Sequence, residues 1–538
     1  VKNSRKWQFH PFTTECNRSS LFNPFIQSLI SNANGLVLPG LVRRTGVLSG
    51  IMVVLFSASL IAGNLTSVQS GTWSNTATWG GQIPGAGDNV TIAHTITSNT
   101  EVSCTNLTIN AGGSCSVSGT NTLTISGNWV NNGTFNANNS TVVFTGASSI
   151  FSGSSVSSFY NCVLNKGTDL SAKLTITSNL TISNLTLNFG VLEITGGTTT
   201  INDIVNKDNT IPSTCGFIVA GGTLNTKNFT LENEGLIRII SGTASFGTQS
   251  GNSVHTQIDG AFEVAGGNVF VAGRLENTAG GYLVKPTIPS GLNITGGTIT
   301  IGTVGNELSS KGTLDVSSNG AFKFSGGTII FQNSSTATTP LDIALIFGSG
   351  NGTKNTMGGT FQFGNGSTPV GALFRTKSEI PIDNLIINSN SSVRIVNNDL
   401  IIGNKLTMSG GNIDATSQRL ILSNPSITSL VRTSGLVTGK MQRAIGLNGG
   451  FSYLFPVGNG ANYTPLTLNF AGLSTAGNIT VESVGGIQPN IGSSLLNNSK
   501  TVNTHWNVLK SGVSFTSLGI DFSFPAVPGN SGNYRIGM

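Results

Sequence analysis

A paired glycine flanked on both sides by alternating apolar residues recurs along the chain, and it limits the fold more than any other feature. The template sets apolar side chains at i and i+2, Gly-Gly at i+4 and i+5, and apolar side chains again at i+7 and i+9. Phe262/Val264, Gly266-Gly267 and Val269/Val271 fit it in full, as do Leu292/Ile294, Gly296-Gly297 and Ile299/Ile301. Phe322/Phe324, Gly326-Gly327 and Ile329/Phe331 make a third full copy, so two successive steps are 30 residues long. Looser copies lie at Leu192/Ile194 with Gly196-Gly197 and Ile201, at Phe217/Val219 with Gly221-Gly222 and Leu224, and at Leu406/Met408 with Gly410-Gly411 and Ile413.

Alternation at period two makes each half-copy a strand with one buried face. The paired glycines supply a bend that residues carrying a Cβ would resist. A repeat of roughly 20 to 50 residues marks a solenoid or a propeller, in which each unit buries against its neighbours what it cannot bury alone. The steps are uneven and no blade signature recurs, which counts against a propeller. The expected fold is therefore all-β: a right-handed parallel β-helix in which Ile, Val, Leu and Phe stack from coil to coil. Asparagine precedes several strands, as in Asn106-Leu107-Thr108-Ile109, Asn179-Leu180-Thr181-Ile182, Asn184-Leu185-Thr186-Leu187, Asn228-Phe229-Thr230-Leu231 and Asn384-Leu385-Ile386-Ile387. Asn is a natural turn residue that hydrogen-bonds nearby backbone, so the Asn-x-Thr triplets among these read as turns before they read as glycan acceptors.

Charge is scarce, at 9% of 538 residues, and unevenly placed. Lys2, Arg5, Lys6, Arg18, Arg43 and Arg44 stand against Glu15 alone in the first 63 residues, which leaves 21 basic against 20 acidic residues in the body. A nearly neutral body offers no basic stripe to follow a phosphate backbone, so nucleic acid is not an expected partner.

Arg43 and Arg44 precede an apolar run at 46–62, and polar residues follow it, which is the order of a secretory signal. The run is shorter than the roughly 20 residues of a spanning helix, so no membrane span is expected in the mature chain. Four segments follow: 1–42, an extension foreign to the body; 43–63, the signal peptide; 64–430, the β-helix; and 431–538, a small β-sandwich-like module that reads as truncated. Cys104, Cys115, Cys162 and Cys215 remain after the cut, and a Cys104–Cys115 bridge and buried free thiols are both open.

Residues 71–92 contain Trp73, Trp79, Gly80, Gly81, Pro84, Gly87, Asp88 and Val90 at a specific spacing that resembles the opening of the eight-glycine domain of Bacteroidetes surface proteins. In those relatives the segment begins a parallel β-helix, and here it would cap the first coil. At the other end, Val437-Thr438-Gly439-Lys440-Met441-Gln442-Arg443, Tyr453-Leu454-Phe455-Pro456-Val457-Gly458, Tyr463-Thr464-Pro465-Leu466 and His505-Trp506-Asn507-Val508 resemble the module that precedes sorting domains in proteins exported by the type IX system. The two likenesses imply an extracellular or outer-surface location.

Catalysis on a β-helix needs clustered carboxylates with a base, and often calcium. Asp383, Asp399 and Asp414 are spaced too closely for the repeat, and Arg394 with Asp399 reads as a solvated surface pair. His94 is expected at a turn and His255 in an exposed polar loop, 251–257. No C-x-x-C, calcium repeat or phosphate loop is present, so neither a metal nor a cofactor is expected. The sequence favours a non-catalytic structural or adhesion protein, whose partners would be extracellular polysaccharide or other cell-surface components. A carbohydrate-active β-helix enzyme of the lyase or hydrolase type is the alternative.

Overall fold

The computed structural model describes residues 62–257, 259–278, 290–306, 312–316, 320–334, 343–347, 353–448, 451–495 and 501–524. The expected extension at 1–42 and all but the last two residues of the expected signal at 43–63 lie outside the described residues. Stacked parallel strands build a β-solenoid of about 15 turns.

Three strand segments recur from coil to coil, fused in places into one longer strand such as Leu180–Ile194 or Cys215–Thr226, and equivalent segments pair in parallel. On the first ladder, face A, Leu192, Phe217, Ile237, Phe262, Leu292 and Phe322 stand in register. On face B the series is Leu224, Ala244, Val269, Ile299, Ile329, Phe361, Leu385 and Leu406. On face C it is Leu231, Val254, Leu275 and Leu314. All are buried in one continuous core. The flanking residues of the three full glycine copies therefore do pile up rung over rung. Each such side chain contributes about 1.5 to 3 kcal/mol, which lets a chain with little charge hold a long fold.

Coil length varies while the corner between faces A and B does not. Phe217 pairs with Ile237 in one coil and Leu292 with Phe322 in another. The extra residues enter next to face C, as in the connection from Asn277 to Gly291. The paired glycines Gly196-Gly197, Gly221-Gly222, Gly266-Gly267, Gly296-Gly297 and Gly326-Gly327 all occupy the A-to-B corner. Gly410-Gly411 does not: Leu406 and Met408 lie on face B and Ile413 on face C, so this pair turns the next corner. Alternating strand residues flank both corners, and a template of strand, glycine pair and strand cannot separate them.

Two tryptophans pack into the core at the first coil. Trp73 and Trp79 are buried, with ring centroids 5.3 Å apart in an edge-to-face pair. Trp79 Nε1 donates to Trp73 O at 2.8 Å, and Trp73 Nε1 to the buried Pro84 at its carbonyl, 3.4 Å. Gly80 ends the short 3-10 turn Thr76–Trp79 with φ of 74°, followed by Gly81 at 119°. The Asp88 carboxylate accepts from the amides of Gly63 at 2.8 Å and Gly85 at 2.7 Å, and half-buried Gly87 leads into it.

At the far end, parallel pairing continues past residue 430, to Val437 with Val457 and Thr438 with Gly458. The strand Val437–Ile445 then pairs antiparallel with Gly477–Gly485, which pairs with Thr504–Ser511. A second antiparallel ladder joins Ser452–Phe455, Leu466–Ala471 and Ser517–Phe522. The terminal module thus shares a strand with the solenoid, and Trp506 of one ladder meets Phe522 of the other at 5.2 Å. Cys104, Cys115, Cys162 and Cys215 are buried, and no disulfide joins them among the described residues. Burial pushes the Cys115 and Cys162 thiols up to about 12, which makes them inert packing groups.

Candidate functional site

In a parallel ladder the side chains that point outward stack as regularly as those that point inward, so a residue type repeated at one strand position becomes a column. The first outward position of face B reads Thr198, Thr223, Thr243, Asn268, Thr298, Thr328, Thr360 and Asn384, each in register with the next. The second reads Thr200, Asn225, Ser245, Phe270, Thr300, Ile330 and Gln362. Successive rungs are about 4.8 Å apart. Phe270 stands 39% exposed within this hydroxyl and amide array, beside exposed Asn268.

The asparagines before strands act as inter-coil connectors. Asn106 Nδ2 donates to Asn89 Oδ1 at 2.6 Å, Asn184 Nδ2 to Asn161 Oδ1 at 3.0 Å, and Asn179 Oδ1 accepts from the Thr198 amide at 2.8 Å. Asn106 and Asn184 lie within strands and bridge to asparagine side chains of the neighbouring coil, so they form an inter-coil ladder rather than the turns expected for them.

The three aspartates are not brought together. Arg394 Nε pairs with Asp414 at 2.8 Å, and Arg419 Nη2 with Asp399 at 2.6 Å, each across one coil step. Asp383 accepts from the Gly358 amide at 2.8 Å. Arg394 and Asp399 therefore belong to different pairs. His94 Nδ1 lies 3.0 Å from Ser67 Oγ, just after the strand Asn89–Ile92.

His255 requires a correction. It is not in an exposed loop but in the strand Val254–Thr256, on face C, with its side chain 21% exposed. The outward position of face C reads Glu232, His255, Glu276 and Asp315 on four consecutive rungs. His255 Nδ1 is 2.9 Å from Glu232 Oε2, and Nε2 is 3.0 Å from Thr278 Oγ1 and 4.0 Å from Glu276 Oε1. Arg274 Nε reaches Glu276 Oε2 at 3.2 Å, and Gln257 Nε2 donates to Glu232. Glu276 and Asp315 are buried. Burial opposes ionisation of Glu232, yet hydrogen bonds from His255 and Gln257 together with the imidazole's charge hold its carboxyl below the usual range. Sequence reasoning missed this ladder. The available signal was the central residue of Leu231-Glu232-Asn233, Val254-His255-Thr256, Leu275-Glu276-Asn277 and Leu314-Asp315-Val316.

Among the described residues no group of three or more His, Cys, Asp or Glu has the geometry to hold a metal ion. No helix among them is long and apolar enough to cross a membrane. No family model, no curated protein and no solved structure matches the chain.

Proposed function

We propose that the protein is an exported surface scaffold that binds neutral glycans along face B and serves attachment. The observation that carries this reading is the in-register column of Thr and Asn on face B, with Phe270 standing exposed in the column beside it. Hydroxyls and amides at a regular spacing suit sugar hydroxyls, an aromatic face supplies a stacking platform, and a long array lets weak contacts add. The basic-then-apolar order at 43–62 supports export. A glycan array probed with the folded chain, followed by calorimetry on Phe270→Ala, tests it. Binding that weakens at least tenfold in the variant is expected; absence of binding to any neutral glycan, together with failure to adhere cells, would remove the reading.

A second reading, a carbohydrate-active enzyme, is favoured by one specific observation: carboxylates and an imidazole converge on face C at Glu232, His255 and Glu276. Reducing-end and unsaturated-product assays on a panel of polysaccharides test for glycosidic cleavage.

A further inference from the structure

We propose that Thr278, His255 and Glu232 form a nucleophile, base and acid relay that cleaves acyl esters carried on a glycan. This rests on the second reading, to which it gives a substrate class and a reaction.

The three residues come from successive coils of face C. Glu232 and His255 are register partners, and Thr278 directly follows the strand Leu275–Asn277. The Thr278 amide donates to Thr256 O at 2.9 Å, which fixes the backbone that carries the hydroxyl. In the neutral imidazole Glu232, which can only accept, takes Nδ1–H at 2.9 Å, and the Nε2 lone pair then faces the Thr278 hydroxyl at 3.0 Å. That hydroxyl has a poorer alternative acceptor in Thr256 O at 3.4 Å. A hydroxyl in reach of a base, with the base oriented by a carboxylate, is the arrangement that activates a nucleophile. The other ion pairs between successive coils, such as Lys173 with Glu193 and Arg238 with Glu263, join a permanent cation to a carboxylate and hold no group able to shuttle a proton. Among the described histidines, only His255 meets a carboxylate through one ring nitrogen and a hydroxyl through the other. Its side chain and that of Glu232 are 21% and 18% exposed and Thr278 is half-buried, so each member of the relay keeps some accessible surface.

In the reaction, Thr278 Oγ1 bonds to the acyl carbon as its proton passes to His255 Nε2. The bond from that carbon to the sugar oxygen breaks, and His255 returns the proton to the departing sugar hydroxyl. Water then attacks the acyl-threonine, gives a proton through His255 to Thr278 Oγ1, and releases the carboxylic acid. No oxidant, reductant or second substrate is needed.

The full chain would be incubated with p-nitrophenyl acetate and with acetylated xylan, and acetate release followed against pH. Release is expected to rise as the imidazole loses its proton, to fall at least about 100-fold in Thr278→Ala and His255→Ala, and to persist in Thr278→Ser. Acid quenching of the wild type followed by mass spectrometry should show acetyl on Thr278, a readout independent of how the variants fold. Wild-type release no faster than buffer, or Thr278→Ala equal to wild type, would overturn the relay. A chain that cuts glycosidic bonds but releases no acetate overturns this inference and leaves the second reading standing.

Discussion

The ammonium of Lys166 donates to the carbonyl oxygen of Thr145 at 2.6 Å, one coil back, and also reaches Ala147 O at 2.9 Å and Ser126 O at 3.4 Å. Lys166 has no exposed surface, and burial pushes its pKa down to about 8. The unfolded chain therefore binds more protons than the folded one between about 8 and the ordinary lysine value of 10.5. Stability from this group is absent at neutral pH and grows as pH rises through that window. The buried thiols have the opposite sign at alkaline pH, so the contribution is read as a difference between wild type and Lys166→Met. Denaturant unfolding at pH 7 and pH 10 should show that difference moving in favour of wild type at the higher pH. Leaving the carbonyl cage empty should also cost the variant about 1 to 3 kcal/mol for an unsatisfied buried acceptor.

Gly297 is a position on the A-to-B corner that has no room for a Cβ. Its φ is 73°, and an added Cβ would lie 2.7 Å from Gly267 O, the acceptor of the Thr298 amide at 3.0 Å. Gly327 repeats the relation one coil on, with a Cβ 2.6 Å from Gly297 O. Gly297→Ala should lose about 2 to 3 kcal/mol from the left-handed backbone alone, and more from displacing the coil below. Thr295→Ala, at an exposed site on the same corner, should stay within about 0.5 kcal/mol of wild type. Limited proteolysis across a denaturant series would rank the three proteins.

The repeat was legible because burial forces alternation at period two, and because a corner that brings backbone against backbone excludes a Cβ. Phe262, Leu292 and Phe322 stack as the spacing of their glycine pairs implied. Gly410-Gly411 showed the limit, since two corners of the coil obey the same local rule. Face C was illegible for a different reason. Glu232, His255 and Glu276 are neighbours only once coil lengths are known, and those lengths are set by connections that carry no periodic signal. Thr278 joined them through a hydrogen bond that no spacing announces.

Trp79 and Asp88 protect an edge. The strand Asn64–Thr66 pairs only on the side of Asn89–Ile92 among the described strands, and the two tryptophans close the coil beside it. Trp79→Ala empties a site that is 4% exposed, which should cost about 3 to 5 kcal/mol locally and free the edge to pair with another molecule. Asp88→Asn keeps the shape but replaces a two-oxygen acceptor by one oxygen, so one of the Gly63 and Gly85 amides loses its partner; a loss of about 1 to 2 kcal/mol is expected. Light scattering should show concentration-dependent association for Trp79→Ala and not for Asp88→Asn.

Arg443 joins the last coil to the terminal module with no carboxylate partner among the described residues. It is 1% exposed, and burial pushes its pKa down to about 10. Nη1 donates to Leu454 O at 2.8 Å, Nη2 to Ser426 O and Ser429 Oγ at 3.3 Å, and the guanidinium lies 5.2 Å from the centre of the Tyr453 ring. Tyr453 in turn donates its hydroxyl to Pro425 O at 2.9 Å. A buried cation held by carbonyls and a ring is costly to desolvate but costlier to remove, because several acceptors are left bare. Arg443→Met should destabilise the junction by about 3 kcal/mol or more, whereas Tyr453→Phe, which frees the Pro425 carbonyl and the Gly446 amide, should cost about 1 to 2 kcal/mol. Proteolysis is the measurement: Arg443→Met should be cut between Ile445 and Ser452 while the coils from Leu180 to Leu422 stay intact. Uniform loss of protection along the whole chain would instead show that the module and the solenoid unfold as one body.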